Sequence, residues 1–145
     1  MAIPNGFNPT VDALTVIGAT TGIKKTAVVT TSDTDTLTAQ ESGSVIIATK
    51  SSATQTFTLP SAATGGVIFT FVCGHASGEI LINPIAGQTI QTKATGDGGA
   101  LVAPAAGTGI KNTAATNVIG DHVTLVSNGV TGWYTIGQSG IWASQ

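Results

Sequence analysis

Apolar and polar residues alternate with a period of two along most of this chain. In Thr54–Pro60, TQTFTLP, Phe57 and Leu59 fall on one face and Thr54, Thr56 and Thr58 on the other. Val67, Phe69 and Phe71 share a face in the next run. Ile80 and Ile82 do so in Glu79–Pro84, and Val123 and Leu125 in His122–Ser127. The same reading predicts further strands at Thr26–Thr30, Thr36–Gln40, Ser44–Thr49, Gln88–Thr92 and Trp133–Gly137. No long stretch repeats apolar residues at helical spacing, so at most one short helix is expected. Many short strands separated by Gly, Asn and Ser turns predict an all-β protein, an antiparallel β-sandwich or jelly-roll-like single domain.

Two segments break the rhythm. Residues 1–25 carry Pro4 and Pro9, which cannot donate to a helix ladder, and the turn formers Asn5, Gly6 and Asn8. They also carry Ile3, Phe7, Val11 and Leu14. A turn-rich but apolar segment predicts an extended N-terminal arm that packs on a neighbour, or else along its own domain, which would span 26–145. Residues 93–117, rich in Gly and Ala, predict a long loop, and loops of that length are commonly functional or disordered.

Asn128-Gly129 is the strongest hairpin signal in the chain. It predicts that Val123–Ser127 pairs with Trp133–Gly137 as a closing hairpin. Of the two faces of that last strand, Tyr134 and Ile136 are assigned to the core. Trp133, and Trp142 further on, are then left as candidate subunit-interface contacts, a setting in which Trp is enriched.

Charge changes the picture more than length does. The 145 residues suit one domain able to bury its own core. Only 8% of them are charged, against about 25% in an ordinary globular chain. All five basic residues are scattered lysines, and the net charge is −2. Nucleic-acid binders cluster Lys and Arg against phosphates, and basic membrane-surface helices need the same residues, so neither partner is expected. No segment reads as a signal peptide or a spanning helix. Lone Cys73 rules out an internal disulfide. A surface of Thr, Ser, Asn, Gln, Gly and Ala is cheap to desolvate against another protein. The plain alternative is a neutral β domain that is simply soluble.

Candidate chemistry is thin. Cys73-Gly74-His75 places two potential ligands together, but a metal site needs three or four that converge. Asp33 and Asp35 in TSDTDT fit a turn as well as a calcium loop. Asp121 and His122 would point to opposite faces of a strand, and no nucleophile elbow occurs. GDGGA at Gly96–Ala100 lacks the lysine and the strand–turn–helix setting of a phosphate loop. No catalytic residue, metal or cofactor is expected, and an enzyme is not the reading.

Three stretches carry a resemblance. TFTLPSAATGGVIFTF, GEILINPIAGQTI and GDHVTLVSNGVTGWYTIG, spread over about Thr54–Gly137 and interrupted by residues 93–117, resemble a β-sandwich pattern of structural proteins in tailed bacteriophages. Such modules occur in head decoration (cement) proteins and in tail-fibre tips, and neither use implies catalytic residues. Fibre proteins resemble long chains with a stalk before the tip, and a 145-residue chain with only an apolar arm in front favours head decoration. The resemblance then implies a virion protein made in the host cytoplasm that sits on the outer capsid surface. It would bind the major capsid protein, stabilise contacts between its subunits and associate with itself, often as a homotrimer. Ile3, Phe7, Val11 and Leu14 become candidate capsid contacts of the arm. A tail-fibre or host-receptor-binding component is the alternative.

Overall fold

The fold was obtained as a computed structural model and describes residues 26–93, 101–102 and 109–145. The arm residues Ile3, Phe7, Val11 and Leu14 lie outside the described residues. Among the described residues, twelve strands run in the order β1 (Ala27–Thr30), β2 (Thr34–Thr36), β3 (Val45–Ala48), β4 (Thr54–Thr58), β5 (Ile68–Cys73), β6 (Glu79–Asn83), β7 (Thr89–Lys93), β8 (Leu101–Val102), β9 (Ile110–Asn112), β10 (His122–Ser127), β11 (Gly132–Ser139) and β12 (Ala143–Ser144). Helical structure among the described residues is one 3-10 turn, Ala39–Glu41, whose entry is closed by the Glu41 carboxylate accepting both the amide and the hydroxyl of Thr38. The expected strand over Thr36–Gln40 is therefore split between the end of β2 and this turn. The segment 93–117, expected as a loop, instead contributes β8 and β9, which pair with β7 and β6.

The strands form two mixed sheets. One has seven strands in the order β1-β3-β5-β10-β11-β7-β8, the other five in the order β12-β9-β6-β4-β2. The antiparallel expectation fails in a specific region. The chain alternates between sheets, so β1, β3 and β5 fall in one and β2, β4 and β6 in the other. A strand that leaves a sheet, crosses through the other and returns points the same way as before. Neighbours β1–β3, β3–β5, β2–β4 and β4–β6 are accordingly parallel. The first six strands thus wind as a coil; β9, β10, β11 and β12 add antiparallel pairs, β8 pairs antiparallel with β7, and β11 pairs parallel with β7.

The inward faces of both sheets meet in a single hydrophobic cluster. Phe57 of the five-stranded sheet stacks at a tilt on Phe71 of the seven-stranded sheet, with ring centroids 5.3 Å apart. Phe69 lies 6.1 Å from the ring of Trp133. Leu59, Val67, Ile80, Ile82, Val123 and Leu125 are buried as their alternation predicts. Burial of each such side chain is worth about 1.5–3 kcal/mol, so this cluster is the main source of stability.

The last strand corrects the sequence reading. The hairpin β10–β11 forms, with Gly129 at φ +80° in the turn. The Asn128 Oδ1 accepts the amides of Val130 and Gly132 and fixes the loop. Ser127 then pairs with Trp133 and Val126 with Tyr134. That register sends Trp133 inward, fully buried at 0% exposure, and leaves Tyr134 46% and Ile136 59% exposed. Trp142 is 1% exposed, packed in the same core, and donates its Nε1 proton to the Ser139 carbonyl. Side chains with no surface have none to offer a second subunit, so neither tryptophan is an interface anchor.

Candidate functional site

The feature that stands out is the outward face of the seven-stranded sheet. Strand registers arrange its side chains in rows. One row runs Val29, Ile47, Val72, His122 and Ser139 across β1, β3, β5, β10 and β11. The next runs Ala27, Val45, Thr70, Thr124 and Gly137. A third runs Ile68, Val126, Tyr134 and Gln91. Between the second and third lies Ile136. Thr124 pairs with Gly137 and Leu125 with Thr135, so Ile136 is an extra residue in a β-bulge. A bulge lifts and re-aims a side chain, and here it holds an isoleucine out to solvent.

Those five strands contain no Asp, Glu, Lys or Arg. The one titratable group in the rows besides Tyr134 is His122, whose Nδ1 lies 3.2 Å from the Gly120 carbonyl. Thr70 and Thr124 satisfy each other's hydroxyls at 3.0 Å, which makes the centre of the face less thirsty for water. Charge sits elsewhere. Asp35, Glu79 and Lys111 belong to the five-stranded sheet, and Asp33 pairs with Lys50 beside it. A sheet that is apolar on both faces is normally covered on both.

The candidate chemical groups do not converge. Cys73 is buried, and its thiol donates to the His75 carbonyl at 3.4 Å. Burial pushes that thiol above its ordinary value of 9.0; a backbone hydrogen bond with His75 opposes the shift and the Asp121 charge adds to it. The His75 ring turns away to accept the Ser77 amide. Asp121 is buried and structural. Its carboxylate accepts Asn112 Nδ2 at 3.1 Å and the Val118 amide at 3.0 Å, and Asn112 Nδ2 also reaches the Ile141 carbonyl. Gly140, at φ +79°, passes so close that a Cβ there would collide with the Asp121 carboxylate. The group ties the chain before β12 to the β9–β10 connection. Among the described residues, no three His, Cys, Asp or Glu side chains lie together as a metal cluster would require.

Sequence reasoning singled out Trp133 and Trp142 and missed Tyr134, Ile136 and Val29. A signal for the outer face was present. Val45–Thr49 and Val123–Val126 are apolar or Thr in both phases of the alternation, as strands covered on two sides are. No protein-family model matches the chain, and a search of curated proteins finds no match either.

Proposed function

We propose that the protein is a virion structural protein of the phage head-decoration type, docking on protein subunits rather than acting on a small molecule. One observation carries this reading: five adjacent strands without a charged residue present an outward row of Val, Ile, Thr and Tyr side chains. Such a face loses little by desolvation and gains apolar burial, whereas a small-molecule site is a concave pocket in which a few polar groups converge. We read the two sheets as a β-sandwich that serves as the rigid body behind the face. The partner is the major capsid protein on the outer side of the shell, where buried area across subunit seams, roughly 1,200–2,000 Å² per stable contact, opposes the pressure of the packed genome. Self-association as a homotrimer belongs to the same proposal. Its contacts would come from exposed residues, because both tryptophans are inside.

The test mixes purified protein with undecorated heads and measures bound copies and the heat resistance of the shells. Wild type should bind in hundreds of copies and protect. The double substitution Tyr134→Lys with Ile136→Lys leaves the core untouched, since both side chains are about half exposed or more. It forces two charges into any contact made there, and binding should fall at least tenfold. Equal binding by this variant would exclude the face. A few copies located at the tail of purified virions would favour the tail reading instead.

A further inference from the structure

The turn between β10 and β11 sets an asparagine against its own main chain. Asn128 is exposed to solvent and is followed by Gly129, which has no side chain to obstruct its amide nitrogen. Among the described residues, no main-chain carbonyl accepts the Gly129 proton. The amides on either side are already engaged. Asn128 Oδ1 accepts the Val130 amide at 2.8 Å and the Gly132 amide at 3.0 Å, while the Asn128 amide itself donates to the Gly132 carbonyl at 2.9 Å. Two main-chain N–H groups converging on one carbonyl oxygen are the parts of an oxyanion hole. The loop holds them in place before any reaction. Ser127 Oγ accepts the Val67 amide and donates to the Thr64 carbonyl, and a Cβ on Gly65 would lie 3.2 Å from the Gly129 Cα, so the turn is braced from the neighbouring connection.

We propose that Asn128 is a self-modifying site: the folded hairpin deamidates there, through a cyclic imide, faster than the same sequence does unfolded. Hydroxide or a buffer base takes the proton from the Gly129 nitrogen. That nitrogen attacks Asn128 Cγ, an N–C bond forms, and the carbonyl electron pair moves onto Oδ1, where the Val130 and Gly132 amides stabilise the charge. As the carbonyl re-forms, the Cγ–Nδ2 bond breaks, and Nδ2 takes a proton from water and leaves as ammonia. Water then opens the ring at either carbonyl. The product is a carboxylate at position 128, on the ordinary main chain or on one lengthened by a methylene. One water is consumed, one ammonia is released, and nothing is oxidised or reduced. On the ordinary chain the new carboxylate can accept the same two amides, now with charge assistance, so the loop survives the change. It places a negative charge at the turn joining two strands that have no Asp, Glu, Lys or Arg, in a molecule whose net charge is only −2.

The test needs no heads and does not depend on the proposed function. Full-length protein is incubated near neutral pH, one sample native and one in urea. Position 128 is then followed by mass spectrometry of digests and by ion exchange of the intact chain. Asn5-Gly6, the other Asn-Gly pair of the chain, marks the unfolded rate in the urea sample. Conversion at Asn128 should be severalfold faster in the native sample than in urea. Val130→Pro deletes one of the two donors and should slow the native reaction at least about tenfold, with the rate in urea unchanged. Val130→Ala keeps the amide and should react as wild type does. Because proline also restricts the loop, the wild-type comparison decides first: a native rate equal to or below the unfolded one overturns the proposal whatever the variants do. A fast native rate that survives Val130→Pro, or that Val130→Ala abolishes equally, would overturn it too.

Discussion

At the scale of single residues, the two tryptophans are stability elements, and their replacement should be read in unfolding rather than in assembly. Trp133→Ala and Trp142→Ala each remove a buried indole, a change that typically costs about 3–5 kcal/mol. Urea midpoints should drop accordingly, while sedimentation of the still-folded fraction stays as in wild type. Cys73 gives a pH dependence of known sign. Burial raises its thiol in the folded state, so the native protein holds the proton at pH values where the unfolded chain has released it. Its contribution is thus fully present below pH 9 and is lost as pH rises from the unfolded value towards the folded one. Unfolding midpoints measured from pH 7 to about 10.5 should fall more steeply for wild type than for Cys73→Ala. Equal slopes would show that the thiol is not shielded as the geometry indicates.

At the scale of elements, one glutamine joins successive turns of the coil. Gln55, buried at the entry to β4, accepts the Lys50 amide at 2.9 Å and donates to the carbonyls of Thr30 and Ser32. Gln55→Leu keeps the volume but strands the Lys50 amide and the Ser32 carbonyl, at about 1–3 kcal/mol for each that stays buried, while the Thr30 carbonyl keeps the Thr49 amide and hydroxyl. The expected result is early amide exchange in Val45–Thr49, β3's side of the contact, with β10 and β11 still protected. The elements themselves were largely legible in the sequence. Phe57, Phe69, Phe71, Ile82 and Leu125 are buried because period-two alternation with large apolar residues in one phase leaves one sensible register. Parallel pairing was not legible, because local alternation says which side chain faces inward but not which sheet the next strand joins. The orientation of β11 was misread for a definite reason. Tyr134 and Ile136 outnumber Trp133 as apolar positions, but the connection from Ser127 to Gly132, which pairs Ser127 with Trp133, and the bulge at Ile136 set the phase. The candidate face escaped notice because it belongs to no single strand; it arises when five uncharged segments are placed side by side.

For the whole molecule, charge segregation governs how it should associate. The net charge is only −2, and Asp35, Glu79 and Lys111 lie on the five-stranded sheet. Docking through the neutral sheet gains nothing from long-range attraction, so head binding should change less than about threefold between roughly 0.05 and 0.5 M salt, over which surface charges are progressively screened. Association should also be slow for its strength, because there is no electrostatic steering towards a partner. A steep loss of binding in salt would point to the charged five-stranded sheet as the contact instead.

The coil has one more consequence, best put as a question of load. Its first turn, β1 and β2, has no buried residue, and each of these strands is held along one edge only. Tension entering through Thr26 meets the ladder to β3 one rung at a time, as a zip is opened. Tension entering through Gln145 meets the two-residue strand β12 and then a buried indole, braced by Asn112 and Asp121, which must be drawn out whole. Thr26 and Gln145 are therefore unequal handles: force on the first can open β1 without disturbing the core, and force on the second cannot.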